Sequence, residues 1–147
     1  MKNRYAEPRQ RQQEEANALP IGFAFSNEQF EEMMRKWGLN VQKKADLAKI
    51  YSIGYGGYIQ KKDADLLHTT RLRHAKEMEE AIAEDKTGEG FIYEMFLYEL
   101  NNHEYGYTWN TEDTLDALDY TAEEVLNDPR LKRGLEKAAK EIRKGKL

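Results

Sequence analysis

The chain has 147 residues, 39% hydrophobic and 34% charged, with a formal net charge of -4. That is enough chain for one domain with its own core, and no apolar run approaches the roughly 18 residues of a membrane span. The absence of cysteine excludes disulfides, thiol catalysis and cysteine-ligated zinc.

The net charge conceals a strong segregation. Glu77 to Asp128 holds sixteen acids and one base, Lys86, whereas residues 1–76 carry a surplus of five bases and residues 129–147 a surplus of six. A field of this kind steers a charged partner when the acids stay in water, and vanishes when the basic C-terminal helix packs across them.

In chain order, residues 1–17 form a polar N-terminal arm with Arg4, Arg9 and Arg11 and no apolar stripe. It is expected either as a mobile arm or as a lead-in helix. Its opening, Met1-Lys2-Asn3-Arg4, lacks the apolar core of a secretory signal, so a cytoplasmic location is expected. Residues 18–147 are expected as one domain. Ile21, Phe23 and Phe25 alternate on one face of a short strand. Ser26 with Gln29 three residues on makes a capping box that opens a helix from Asn27 to Trp37, closed by Gly38. Ala45–Ala48 reads as one helical turn. Ile50–Ile53 and Tyr58–Gln60 read as a hairpin around Gly54-Tyr55-Gly56-Gly57; those glycines match neither phosphate-binding spacing.

Asp63 is expected to cap a long helix from Ala64 to Glu84, with Leu66, Leu67, Leu72, Ala75, Met78, Ala81 and Ile82 on one broad face. The stretch from Gly90 to Trp109 holds seven of the sixteen aromatics and is the expected centre of the core. Phe91 to Asn102 carries helical apolar spacing, and Tyr107-Thr108-Trp109 has the composition of a strand. Asn101, Asn102 and His103 are expected at that helix–strand junction. Two short helices follow, opened by Asn110 or Thr111 and by the Thr121–Glu124 capping box, and then a last helix with Pro129 at its first position runs to about Arg143. The whole predicts an α+β fold, mainly helical, with a small antiparallel sheet.

Glu99 and His103, four apart, share one helix face, a spacing that can place two metal ligands; His68 or His74 would have to supply a third. The alternative is that Asn101, Asn102 and His103 serve backbone groups at the helix end. The aromatic carboxylates Glu94, Glu99 and Glu104 are the ones to inspect for acid–base chemistry, but no nucleophile elbow or standard metal string occurs. No cofactor is implied, and a non-enzymatic role is favoured. Lys43, Lys44, Lys49, Lys61, Lys62, Arg71, Arg73 and Lys76, with Tyr51, Tyr55 and Tyr58 between them, form a candidate face for nucleic acid. The converse reading takes Tyr105, Tyr107 and Trp109 with Glu112, Asp113, Asp116 and Asp119 as the candidate site for a basic protein partner, such as a nucleic-acid-handling protein.

The strings Phe23-Ala24-Phe25-Ser26-Asn27-Glu28-Gln29-Phe30-Glu31-Glu32, Gly56-Gly57-Tyr58 and Phe96-Leu97-Tyr98-Glu99-Leu100-Asn101-Asn102-His103-Glu104-Tyr105 resemble a family of small proteins of phages and mobile elements, over about residues 10–110. The resemblance implies an accessory protein that binds a host or defence-system macromolecule. It implies no role for any single residue.

Overall fold

The computed structural model describes residues 3–145, so the expectation for Met1 and Lys2 lies outside the described residues. The elements are α1 (Ala6–Asn17), β1 (Ile21–Phe23), α2 (Asn27–Lys36), the single turn α3 (Lys44–Leu47), β2 (Ile50–Gly54), β3 (Gly57–Gln60), a 3-10 turn (Lys61–Asp63) that takes in the expected cap Asp63, α4 (Ala64–Glu84), α5 (Phe91–Asn102), α6 (Tyr105–Thr108), α7 (Glu112–Ala117), α8 (Ala122–Asn127) and α9 (Pro129–Gly145). The fold is α+β and mainly helical, with one antiparallel sheet in the order β1-β3-β2. Two compact units are distinguished: Gln13–Ala75, and Met1–Gln12 with Lys76–Leu147. Helices α1 and α4 contribute residues to both.

In the sheet unit, Ser26 Oγ accepts from Gln29 N at 3.2 Å, and Gln29 Oε1 accepts from Phe25 N at 2.7 Å. The expected box therefore reaches back one residue further than its usual form. Gly38, at φ 73°, ends α2; Leu39 N donates to Met34 O and Gly38 N to Arg35 O, the paired bonds of a Schellman ending. Strand β3 pairs with both neighbours, Ile59 lying between Ile21 and Tyr51, and an irregularity between Ser52 and Gly54 bends β2. The expected Ile21/Phe23/Phe25 face is buried only at its Ile21 end, where half-buried Ile21 lies beside the buried Ile59. Ala24 is buried, Phe23 and Phe25 are exposed, and Gly22 lies beneath Met33 and Trp37, where a Cβ would come within 2.6 Å of Met33 Sδ. A missing side chain, invisible to an apolar count, sets the packed face. On α4, Leu67 and Thr70 are buried while Leu66, Leu72 and Ala75 are exposed, so its apolar stripe is narrower than expected.

The second unit is built on α5. Ile92, Met95, Phe96 and Leu100 are fully buried, each worth roughly 1.5–3 kcal/mol of burial. Helix α9 packs on α5 with Leu131, Gly134, Ala138, Ala139 and Ile142 inward. The approach is close because Gly134 has no Cβ; one there would lie 2.6 Å from Ile92 Cγ2 and 2.7 Å from Gly88 O. Gly90, the N-cap of α5, offers no side chain. Asp85 substitutes for it. Its Oδ2 accepts from Gly90 N at 3.0 Å and Ile92 N at 2.9 Å, and its Oδ1 accepts from Gly88 N at 2.9 Å and Thr87 N at 3.2 Å. Burial alone raises the Asp85 carboxyl, but the N–H groups of Ile92, Gly88, Gly90 and Thr87 outweigh it and hold the group below the usual aspartate value.

The N-terminal segment is part of this unit. Tyr5 is buried in its core, edge-on to Phe91 with ring centroids 5.8 Å apart. Asn3 donates to Glu94 O, and Arg4 pairs with the Glu94 carboxylate. Glu77 of α4 is half-buried and accepts from Arg11 at 2.8 Å and Gln12 at 2.6 Å. The expected strand at Tyr107–Trp109 is instead helical, within and just after α6. The sheet belongs to the other unit, so Asn101, Asn102 and His103 close a helix that leads into another helix.

Candidate binding surface

The turn after α5 is made by an unexpected residue. His103 caps the helix, and Glu104 takes the left-handed conformation at φ 59° that glycine usually supplies. This swings Tyr105 into the core, where it is buried with Leu100. Helix α6 lasts one turn and ends on Trp109, again left-handed at φ 54°. Asn110 Oδ1 then accepts from Glu112 N at 2.8 Å and opens α7, the work expected of Asn110 or Thr111. Thr114 and Leu115 face inward, and the Thr114 hydroxyl donates to Glu99 O at 3.3 Å. Helical spacing therefore turns Glu112, Asp113 and Asp116 outward. A Schellman ending closes α7, with Tyr120 N to Leu115 O and Asp119 N to Asp116 O, and Asp119 is left-handed at φ 59°.

Tyr107 is 81% and Trp109 62% exposed, beside the exposed Glu112, Asp113, Asp116 and Asp119. Tyr105 departs from the expected set: it is part of the core and presents no surface. Three of the four non-glycine residues with positive φ among the described residues, Glu104, Trp109 and Asp119, border this patch. Each costs on the order of 1 kcal/mol. Left-handed non-glycine residues that persist at such a cost cluster at functional sites, which is one physical reason to single this surface out.

The cations of α9 do not neutralise it by pairing. Arg130 donates to the carbonyls of Ile82 and Asp85 at 3.0 and 2.9 Å, and Arg133 to that of Thr87 at 2.6 Å. These are positive charges placed on the C-terminal carbonyls of α4 and its loop. Lys137 lies 4.4 Å from the Tyr93 ring centroid. Among the described residues no ion pair joins α9 to Glu112, Asp113, Asp116 or Asp119.

Glu99 and His103 do come together, with His103 Nε2 3.7 Å from Glu99 Oε1. The rest of a metal site does not assemble. Glu99 is 3% exposed, and its Oε2 accepts from the Tyr5 hydroxyl at 2.5 Å and from Arg9 Nε at 2.8 Å. Among the described residues no three histidines or carboxylates are grouped to hold a metal. His74 instead lies 3.5 Å from Glu15, within the sheet unit. An arginine and a tyrosine on Oε2, with Asn102 donating to Oε1 at 3.4 Å, are the partners of a structural carboxylate. Burial, then the bond to Glu99, pushes the Tyr5 hydroxyl well above its ordinary value. Tyr5 and Arg9 are the residues that sequence reasoning missed, and no local pattern announces a contact between positions 94 apart.

The basic face is only partly assembled. Arg73 pairs with Glu15, Lys76 approaches Glu80 at 4.0 Å, and Lys49 approaches Asp46 at 3.1 Å. Lys43, Lys44, Lys61, Lys62 and Arg71 are exposed. Tyr58 lies against Phe30 in the core, with ring centroids 5.2 Å apart, while Tyr51 and Tyr55 are exposed.

No helix among the described residues is long and apolar enough to cross a membrane. The sequence profile of one family, a family of unknown function (DUF7659), matches residues 4–141. No curated protein and no solved structure matches the chain.

Proposed function

The chain belongs to DUF7659, a family of unknown function, and from its own surface we propose that it is a non-enzymatic binding protein. It is an accessory protein of a phage or mobile element that engages a basic protein of the host or of a defence system. The contact surface is Tyr107, Trp109, Glu112, Asp113, Asp116 and Asp119. The observation that carries this reading is two large exposed rings beside four exposed acids that α9 leaves without an ion pair. Tyrosine and tryptophan supply buried contact area at low entropic cost and dominate interface energetics. Unmatched acids around them speed encounter with a cationic partner and reject anionic ones. The acid patch also has the sign of a phosphate backbone, which suits the basic site of a nucleic-acid-handling protein.

Capture of host proteins on the immobilised chain tests this. Replacing Glu112, Asp113, Asp116 and Asp119 by lysine lowers the captured amount roughly tenfold or more at low salt. Raising salt shortens the Debye length to a few ångströms and weakens wild-type capture in the same direction. Unchanged capture by the reversed variant sinks the proposal.

A further inference from the structure

A second surface lies on the sheet unit. Gly22 and Tyr58 are paired across β1 and β3; Met33 sits on the first and Phe30 against the second. Helix α2 therefore covers the face that carries them. Paired residues share a face and neighbours along a strand alternate. Ile21, Ile59 and Tyr51 form one row on the opposite face, and Phe23 stands beside Gly57 in the next. Ile59 is buried in that row, yet Phe23 is 62% and Tyr51 49% exposed. Tyr55, left-handed at φ 52°, holds a 98% exposed ring at the hairpin turn. Phe25, also exposed, lies over Gly56, where a Cβ would come within 2.3 Å of its ring.

The charge around these rings is positive. Lys43 to Lys62 holds five lysines and one acid, Asp46. Lys61 Nζ lies 4.9 Å from the Tyr51 ring centroid, and Lys61 N donates to Lys49 O at 2.8 Å, which sets the two lysines side by side at the base of the hairpin. Asp46 pairs with Lys49 at 3.1 Å and also feels the charge of Lys43.

We propose that this aromatic sheet face and hairpin bind single-stranded nucleic acid. Exposed rings in a lysine-rich stretch, with Lys61 over the Tyr51 ring, match the chemistry of a polymer that alternates flat bases with phosphates. A duplex hides its base faces and cannot use the rings. Phe23, Tyr51 and Tyr55 stack bases, and Lys43, Lys44, Lys61 and Lys62 meet phosphates. This surface is independent of the acidic one on the other unit, so either assignment can fail without the other.

The experiment is fluorescence anisotropy of the full chain with a labelled oligothymidine of about twelve nucleotides, its uridine counterpart and a duplex of equal length. Single strands bind more tightly than the duplex. With about four lysines on phosphates, affinity falls on the order of fiftyfold between about 50 and 200 mM salt. Tyr51→Ala and Tyr55→Ala each weaken binding roughly fivefold to hundredfold. Both rings are exposed, so circular dichroism of these variants matches wild type. No saturable binding at the lower salt overturns the proposal, as does equal affinity for duplex, or ring removal without effect on affinity. Loss of a captured protein in these variants, with no oligonucleotide bound by wild type, assigns the face to a protein instead and equally overturns it.

Discussion

Replacing Glu99 by alanine lowers the unfolding free energy by about 3–5 kcal/mol, read as a fall in the urea midpoint. The carboxylate is buried between α5 and the N-terminal segment and accepts from Tyr5 and Arg9 through one oxygen. Removing it strands a buried hydroxyl and a half-buried guanidinium, and that desolvation cost, more than the lost attraction, makes the effect large. Two companion variants separate the terms. Glu99→Gln keeps an acceptor for the Tyr5 hydroxyl and loses less. Tyr5→Phe in the alanine background removes one stranded group and restores part of the loss, a coupling expected of groups in contact. An alanine variant as stable as wild type would show that the N-terminal segment is not held by this network. Against a typical total of about 5–15 kcal/mol, the predicted loss is a large fraction.

Gly88→Ala is the second large effect, about 3 kcal/mol or more, measured in the same denaturation experiment. Two costs add. The residue sits at φ 85°, where an L side chain is strained, and its new Cβ would lie 2.1 Å from the backbone oxygen of Arg130. That oxygen belongs to the first turn of α9 and cannot swing aside as a flexible side chain would. Relief requires α9 to shift from its seat, where Gly134 already touches Gly88 O and Ile92. Gly38→Ala is the natural control. It carries a similar left-handed strain at φ 73° but meets nothing within 4 Å, so it costs only about 1 kcal/mol. Equal losses at the two positions would mean that the close approach of α9 contributes nothing.

Much of this architecture is readable from local pattern. The limits of α4 and α5, the Thr121 capping box, Pro129 at the start of α9 and the hairpin at Gly54–Gly57 follow from periodicity, caps and turn residues. What escaped is of two kinds. Some is non-local: Tyr5 and Arg9 look like members of a polar arm until they meet Glu99, and Asp85 caps α5 from outside the helix. The rest concerns backbone conformations taken by atypical residues. Glu104 and Trp109 occupy left-handed positions while Gly106 between them does not. Three aromatic and β-branched residues after a glycine therefore read as a strand but fold as a helical turn, and Tyr105 moves from the surface to the core. The candidate surface was otherwise visible as a run without a single base from Glu104 to Asp128. What sequence cannot supply is whether α9 pairs with that run. Arg130 meets only its last acid, Asp128, at 3.4 Å, and Arg130 and Arg133 otherwise bind backbone carbonyls of α4 and the following loop.

The proposed function depends on that unmatched negative field around Trp109, and collisional quenching of tryptophan fluorescence reads such a field directly. In a Trp37→Phe background Trp109 is the remaining tryptophan. Scaled to the quenching of free tryptophan by each ion, caesium quenches it more strongly than iodide at low salt, because acids concentrate the cation and repel the anion at an exposed ring. Reversing Glu112, Asp113, Asp116 and Asp119 to lysine inverts that order. Equal scaled quenching by the two ions in the unreversed chain would contradict the account, since it would mean that the acids near Trp109 in sequence are already neutralised.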